Sequence, residues 1–368
     1  MFVDFIDEAE TRWTQCEADL DAAGMRLGLY HRSIWATAKR NSGAHSMFLA
    51  IRGEDAVCAA GFTIESRPIR VLPGHRVLTV SRLGIGQGGF DRQRLEIAVA
   101  ALSQYAQHDR SVLRVCVDTF GMDPLLLAET GETLRRHGFA QTPPRRIYRR
   151  TLVLDLSPPE DTLFAALHRS ARRNIREVAK AGYIVEVARS EDLAPRLQQL
   201  DDETRARTNG EQRQLDWRSI IRMSAVAPSI SNIAVLRHPD SAGADAVLAY
   251  AWGCMQGDVA QYAESGSTRA DDLKISTNYV LLWELIRWAR RNGARSFDLG
   301  GVTEGTEHSA DPLGGISDFK RRFSQRELTV AEEWQLEPRP GRALAARTIA
   351  SGIRALRNTA RHASRIKR

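Results

Sequence analysis

The run Asn278-Tyr279-Val280-Leu281-Leu282-Trp283-Glu284-Leu285-Ile286-Arg287-Trp288-Ala289-Arg290-Arg291, followed closely by Ser296-Phe297-Asp298-Leu299, decides the fold. It reads as a helix delivering the chain into a strand. Working backward from it, three strand-like stretches precede the helix: Ile233 to Arg237, Ala246 to Met255 and Val259 to Ala263. The same order occurs earlier. Met47 to Arg52, Ala56 to Ile64 and Val77 to Arg82 are strand-like, Arg92 to Gln107 is helical, Leu113 to Val117 is a strand, and Pro124 to His137 is helical. Strand, strand, strand, helix, strand written twice points to a mixed α/β domain duplicated in tandem, with the boundary near residues 146–156.

Composition bounds what such a chain does. Its 368 residues suffice for two domains with separate cores. At 43% hydrophobic and 26% charged it has a globular composition, and no apolar run is long enough to span a bilayer. The segment Met1-Phe2-Val3-Asp4-Phe5-Ile6-Asp7-Glu8 is acidic and lacks a signal peptide's basic start and apolar core, so the expected location is cytoplasmic. Cys16, Cys58, Cys116 and Cys254 are scattered singly and read as reduced core thiols, and the nine histidines show no metal-ligand spacing. No metal and no cofactor is assigned. The net charge of +7 is unevenly placed: residues 338–368 hold nine of the 52 Lys and Arg and no Asp or Glu, leaving the rest of the chain slightly acidic.

Between the halves, Asp161 to Lys180 has the clearest helical periodicity. Phe164, Leu167, Ala171, Ile175 and Val178 share one face, Arg169, Arg172, Arg173, Arg176 and Lys180 the other, and Gly182 ends the run. The basic face is either a solvated covering of a core helix or a surface for a polyanion such as transfer RNA. Gly84-Ile85-Gly86-Gln87-Gly88-Gly89 matches G-x-G-x-x-G, but the acidic residue expected at the end of a following strand is missing. Dinucleotide binding, contact with acyl-CoA or another phosphate, and a plain turn all remain open for it.

Only Lys39, Lys180, Lys274, Lys320 and Lys367 interrupt the preference for arginine. Lys320 stands out, in Gly314-Gly315-Ile316-Ser317-Asp318-Phe319-Lys320-Arg321-Arg322-Phe323, where a cation beside flexible glycines is suited to the oxyanion of acyl transfer. The alternative is a lysine on a surface helix. With no Gly-x-Ser-x-Gly elbow and no Cys–His pairing, direct attack by an amine on an activated ester is favoured over a covalent enzyme intermediate. Asp298 and Asp318 are then candidate proton handlers, or structural carboxylates.

Four segments between Arg149 and Glu333 resemble the Fem-type (FemABX) aminoacyltransferases: Ser170 to Arg176 with Lys180-Ala181-Gly182; Thr204 to Arg207 with Asn209-Gly210; Trp283 to Ala289 with Gly293 and Phe297 to Gly301; and Gly315-Ile316 with Phe319-Lys320 and Phe323. The resemblance implies an α/β (α+β) fold of two tandem acetyltransferase-like (GNAT-type) domains with mixed sheets flanked by helices, at 1–148 and 149–337, before a basic helical tail at 338–368. It implies transfer of an amino acid from aminoacyl-tRNA to an amine of a peptidoglycan precursor or related cell-envelope acceptor. Lys320 is similar to the family's lysine near the transferred carbonyl, Lys39 to its precursor-binding lysine, and Arg207 to a second phosphate-side cation. Tyr262 and Phe319 complete the expected substrate contacts, with Tyr262 read equally as a packed strand aromatic. Arg169, Arg172, Arg173, Arg176 and Lys180 are the expected tRNA contacts. Two departures stand beside this: the glycine-rich Ser81 to Gly89 replaces a Pro-Arg-Gly-Pro-like segment, and no coiled-coil arm is visible. An acyl-CoA-dependent N-acyltransferase, or a degenerate transferase serving as an RNA- or membrane-binding scaffold, are the competing readings. For the tail, a basic helix carrying Leu344, Ile349, Ile353 and Leu356 suggests peripheral contact of residues 342–368 with anionic lipid at the inner membrane face.

Overall fold

The computed structural model describes residues 1–7, 11–39, 43–83, 92–143, 147–208, 210, 214–241, 243–268, 275–349 and 351–352. The expected Gly84–Gly89 loop and the tail beyond residue 352, with Ile353 and Leu356, lie outside them. In chain order the first half comprises β1 (Phe2–Asp7), α1 (Arg12–Ala22), α2 (Ser33–Lys39), β2 (His45–Arg52), β3 (Cys58–Pro68), β4 (Arg76–Leu83), α3 (Arg92–His108), β5 (Val112–Phe120), α4 (Pro124–Arg136) and β6 (Ala140–Thr142). The second comprises β7 (Arg150–Asp155), α5 (Glu160–Ala166), α6 (Arg169–Lys180), β8 (Ile184–Val187), α7 (Ala194–Arg207), α8 (Trp217–Val226), β9 (Ser231–Arg237), β10 (Val247–Gln256), β11 (Val259–Ser267), α9 (Thr277–Arg291), β12 (Ser296–Gly301), α10 (Gly314–Arg321), β13 (Glu327–Thr329) and β14 (Ala331–Leu336).

Among the described residues the strands form two seven-stranded sheets of matching layout, β1-β2-β3-β4-β5-β14-β6 and β8-β9-β10-β11-β12-β7-β13. In each, one pair is parallel, β4 with β5 and β11 with β12, and every other neighbour is antiparallel. A helix must carry the chain between parallel neighbours, which is why α3 and α9 occupy equivalent places. The duplication read from element order is therefore a duplication of topology.

One boundary needs correction. β14, expected in the second domain, pairs with β5 from Ala331↔Phe120 to Leu336↔Val115 and with β6 on its other side. Trp334 and Leu336 enter the first domain's core with Phe62, Val80, Val99 and Leu134. The chain thus returns to complete the first sheet, and a segment ending at residue 148 lacks the strand between β5 and β6. A short helix over 340–349 follows onto the same domain. Ala343 and Ala346 pack against Leu113, Ile69 and Leu72. Arg339 donates to the carbonyls of Gln107 (2.8 Å) and Asp109 (3.1 Å) at the end of α3.

The single helix expected over 161–180 is broken in two. Leu167 and His168 adopt extended ψ angles of 151° and 142°. His168 Nδ1 caps α6 by accepting from the Ser170 N–H at 3.3 Å, and Arg172 crosses the break to donate to Leu167 O at 2.6 Å and to Ala165 O. Periodicity carried through the break because Leu163 and Leu167 stay buried on the same side as Ala171, Ile175 and Val178. Gly182, at φ +79°, terminates α6 in the left-handed conformation expected of it.

The second sheet has a core on each face. Leu285, Ile286 and Ala289 of α9 and Ala171 and Ile175 of α6 cover one face. On the other, Trp217 and Ile220 of α8 and Leu197 and Leu200 of α7 pack with Trp252, joined by Leu29 and Ala38 from the first half. That shared apolar contact holds the halves together and fixes the cleft between them. Among the described residues, no helix is long and apolar enough to cross a membrane.

Candidate acyl-transfer site

The site begins where two strands separate. β11 and β12 pair only at Val259↔Ser296, Ala260↔Phe297 and Gln261↔Asp298. Beyond Asp298, β12 is irregular against β7 and Gly300 takes φ +79°. Parallel strands that part leave backbone groups without ladder partners, and a cavity of about 520 Å³ opens there, lined by Tyr262, Glu264, Gly300, Gly301, Ile316 and Lys320 among others.

α10 lies across this opening. Leu313, Ile316 and Lys320 recur at helical spacing and line the cavity. Lys320 is 7% exposed and its Nζ donates to Gly301 O at 2.7 Å, leaving two hydrogens for other acceptors. A Cβ on Gly300 would sit 3.2 Å from that nitrogen, so the glycine serves both the turn and the close approach. Burial pushes the Lys320 ammonium down to about 8, against the pull of the Asp298 and Glu264 carboxylates. A lysine so enclosed is not the surface residue that the sequence left as its alternative.

Asp298 is fully buried behind the cavity. Its Oδ1 accepts from the Gly300 N–H at 2.8 Å and lies 2.6 Å from the Thr151 hydroxyl. Its Oδ2 accepts from the Tyr148 hydroxyl, to which Arg82 Nη2 donates at 2.6 Å, and the Arg82 guanidinium is itself 3.6 Å from Oδ2. Arg82 reaches this network from β4 across the domain boundary, over the Phe120 ring at 3.8 Å. With both oxygens held, Asp298 is built as an anchor and as a negative charge felt by Lys320. On the far side of the cavity, Arg205 donates to Asp201 Oδ2 (2.8 Å) and Glu264 Oε2 (2.9 Å), and the Tyr250 hydroxyl donates to Asp201 Oδ1 at 3.2 Å.

A second cavity, about 770 Å³, lies between the halves, lined by Tyr30, Trp35, Lys39, Glu65, Asp216 and Trp252 among others. It shares Ala263 and Glu264 of β11 with the first. The two therefore meet at one strand.

Of the residues singled out from sequence, Lys320 and Tyr262 line the first cavity and Lys39 the second, with Asp298 behind Lys320. Burial raises the Tyr262 hydroxyl well above the ordinary tyrosine range. The others lie elsewhere. Asp318 is two residues from Lys320, about 200° around the helix, and accepts from Glu307 N (2.7 Å) and Arg321 (2.9 Å), bracing the loop before α10. Those two hydrogen bonds, led by the one from Glu307 N, hold its carboxyl below the usual range. Phe319 is partly buried and packs edge-on against Tyr279 (4.9 Å) and Phe323 (5.5 Å) at the margin of the core. Arg207 is exposed and donates to Ser267 O at 3.3 Å. On α6, Arg169, Arg173, Arg176 and Lys180 are exposed, whereas Arg172 is committed to the carbonyls of the α5–α6 break. Sequence reasoning missed Arg82, Tyr148, Asp201, Arg205 and Glu264. Glu264 stands two residues from Tyr262 on β11, but a bulge there sets Glu264 opposite Trp252 and Tyr262 opposite Gly253, so strand alternation gave no signal for it. Asp201 and Arg205, four apart on α7, did offer one.

Residues 165–321, from α5 through α10, match the family model for the acetyltransferase (GNAT) domain. The crystal structure of FemX is similar over 94% of this chain and 100% of that chain, at 15% identity and a TM-score of 0.73. The structure of L-PGS from Bacillus licheniformis is similar over 94% and 98%, at 13% identity and a TM-score of 0.52. No curated protein matches the chain by sequence. At these identities the likeness is one of fold, and that fold is the tandem pair of GNAT domains.

Proposed function

We propose that this chain, an acyltransferase with the Fem-type pair of GNAT domains, moves an amino acid from aminoacyl-tRNA to an amine of a peptidoglycan-precursor peptide or a related cell-envelope acceptor. One observation carries the reading: a buried lysine with spare N–H donors faces a cavity that meets a larger, interdomain one along β11. In this mechanism the acceptor amine attacks the ester carbonyl, a C–N bond forms, and the C–O bond to the donor ribose breaks. The amine's proton leaves with the ribose oxygen. Lys320 stabilises the oxyanion, and Asp298 with Glu264 supports its charge. Asp298 acts by position, since its own oxygens are occupied.

The tRNA assignment is supported by α6, whose preceding residue His168 donates its N–H to Arg322 O at 3.0 Å, just past the end of the helix that carries Lys320. A polyanion on Arg169, Arg173, Arg176 and Lys180 would thus run beside α10. The second reading, an acyl-CoA-dependent N-acyltransferase, draws on the acetyltransferase description of the matched domain and on the parted strands. For the tail, Leu344 and Ile349 are exposed on the helix that Ala343 and Ala346 anchor, and this arrangement favours peripheral contact with anionic lipid. The test of function is transfer of a labelled amino acid from charged tRNA to a muropeptide amine. Activity with acyl-CoA alone would move the assignment to the second reading, and no transfer from either donor would refute both.

A further inference from the structure

Arg82 stands at an irregularity in β4. Val80 pairs with Val117 and Leu83 with Thr119, so β4 takes three steps where β5 takes two. An extra residue of this kind is a bulge, which turns a side chain out of the strand's alternation. Arg82 has a φ of +54° there, a left-handed backbone that a residue with a side chain disfavours. The ring of His31, whose Nδ1 accepts the Thr63 N–H at 3.2 Å, hydrogen-bonds the Arg82 backbone and holds it in that conformation. Local strain kept in place by its surroundings points to a use for the side chain.

That use lies in the second domain. Arg82 is 6% exposed, and its guanidinium passes over the Phe120 ring to donate from Nη2 to the Tyr148 hydroxyl at 2.6 Å, 3.6 Å from Asp298 Oδ2. Tyr148 in turn donates to Asp298 Oδ2. Its side chain also lies close over Gly301, where an added Cβ would meet Tyr148 Cβ at 2.5 Å and Cγ at 2.9 Å. Gly301 supplies the carbonyl that receives Lys320 Nζ, and the neighbouring Gly300 N–H is held by Asp298 Oδ1 at 2.8 Å. The backbone that orients the lysine is thus gripped by a ring and by a carboxylate, and both lead back to Arg82. Neither Arg82 nor Tyr148 falls within residues 165–321, the stretch matched as an acetyltransferase domain. Among the described residues, Arg82 does not line the Lys320 cavity, so its part is indirect.

We infer that Arg82 is a positioning residue for acyl transfer, acting from the first domain through Tyr148 and Asp298 to fix the Gly300–Gly301 backbone and with it the aim of Lys320. The inference rests on the acyl-transfer reading and adds that the first domain completes the apparatus of the second. A second domain by itself would carry the lysine without the parts that aim it.

The experiment compares the full chain with Arg82→Met, with Tyr148→Phe and, as a control for general loosening, with Val99→Ala in the first domain's core. Two quantities are read: steady-state acyl transfer, and modification of Lys320 by acetic anhydride from about pH 6 to about pH 10, scored by peptide mapping against the exposed Lys180. Facing Lys320 are Asp298 from β12, Tyr262 and Glu264 from β11, Tyr148 from the segment before β7, and Asp201 with Arg205 from α7. Arg82→Met removes the cation beside Asp298, which still accepts from Gly300, Thr151 and Tyr148 and so keeps its charge. The pH of half-modification at Lys320 should therefore rise from about 8 to about 9, with Lys180 unchanged. Tyr148→Phe keeps the ring on Gly301 and every charge, and should lower kcat about tenfold with KM within about twofold, since only the aim of the donor is lost. Val99→Ala should lower the urea midpoint and leave both readouts as they are. An unmoved half-modification pH in Arg82→Met, full kcat in Tyr148→Phe, or the same losses in Val99→Ala would each overturn the inference. Should Arg82→Met not fold, Tyr148→Phe decides. Absence of transfer from every donor by the unaltered chain would sink the acyl-transfer reading, and Lys320 modification would still test the role of Arg82.

Discussion

Replacing Lys320 by Met should make the protein more stable and much less active. The fold holds the ammonium in a dry site, with its pKa pushed down to about 8 from an ordinary value of 10.5. Between those two values the unfolded chain binds the proton and the folded one does not, so stability rises with pH across that window. Below pH 8 the full penalty is present, about 3 kcal/mol. Methionine has a similar length and no charge, so at pH 7 it relieves that penalty and forfeits the hydrogen bond to Gly301 O, a net contribution of about 1 kcal/mol. The expected result is a gain of about 2 kcal/mol at pH 7 that falls as pH rises, crosses zero at about pH 10 and ends as a deficit approaching about 1 kcal/mol above pH 10.5, where only the lost hydrogen bond remains. Turnover should fall about tenfold or more, because the oxyanion loses a donor at the moment its charge develops. Urea denaturation at pH 7 and pH 9.5, paired with initial rates of acyl transfer, measures both sides. A Met variant no more stable at pH 7, with an unchanged pH dependence, would refute the desolvation argument. A folded Met variant with near-normal turnover would refute the catalytic one.

Three further outcomes are expected. Burial pushes the His31 imidazole down to about 4, and its Nδ1 accepts the Thr63 N–H at 3.2 Å, so stability should drop by about 2 kcal/mol between pH 7 and pH 5 as the unfolded chain takes up the proton; a His31→Gln variant with the same acid slope in urea titrations would contradict this. Gly300→Ala forces a left-handed φ on a residue with a Cβ, 3.2 Å from Lys320 Nζ, and should cost about 1–2 kcal/mol by urea unfolding and reduce turnover in the folded fraction; unchanged kinetics would show that Lys320 tolerates displacement. Truncation after Gly352 should leave the anchored helix in place and weaken salt-sensitive binding to phosphatidylglycerol vesicles, and equal binding by full-length and truncated protein at low salt would exclude the lipid contact.

What the sequence made legible was local. The helix over 278–291 and the strands around it announce themselves by apolar runs with clear ends, and writing that order twice was enough to find the duplication. The return of β14 to the first sheet was invisible, because its pairing with β5 joins residues more than two hundred apart and nothing in Ala331 to Leu336 names its partner. The break at Leu167–His168 was hidden for the opposite reason: the buried face continues across it, so periodicity alone sees one helix. Lys320 was found because lysine is rare in this chain. Asp318 and Phe319 were drawn in by adjacency, yet on a helix the neighbours of a buried residue point elsewhere. Arg82 and Tyr148 could not be found, since their significance arises only when β4 and the interdomain segment meet Asp298 in space.

In the proposed reaction a buried lysine between parted strands serves transfer of an amino acid from tRNA to an amine. Its most direct test is a single labelled assay: purified protein, charged tRNA and a muropeptide-type acceptor, with ribonuclease-treated tRNA and acyl-CoA in parallel. Label should enter the acceptor from intact tRNA, be lost after ribonuclease treatment, and decline steeply as salt rises from about 50 to about 200 mM as phosphate contacts are screened. Transfer that ignores ribonuclease, or that proceeds with acyl-CoA alone, would contradict the proposed reaction.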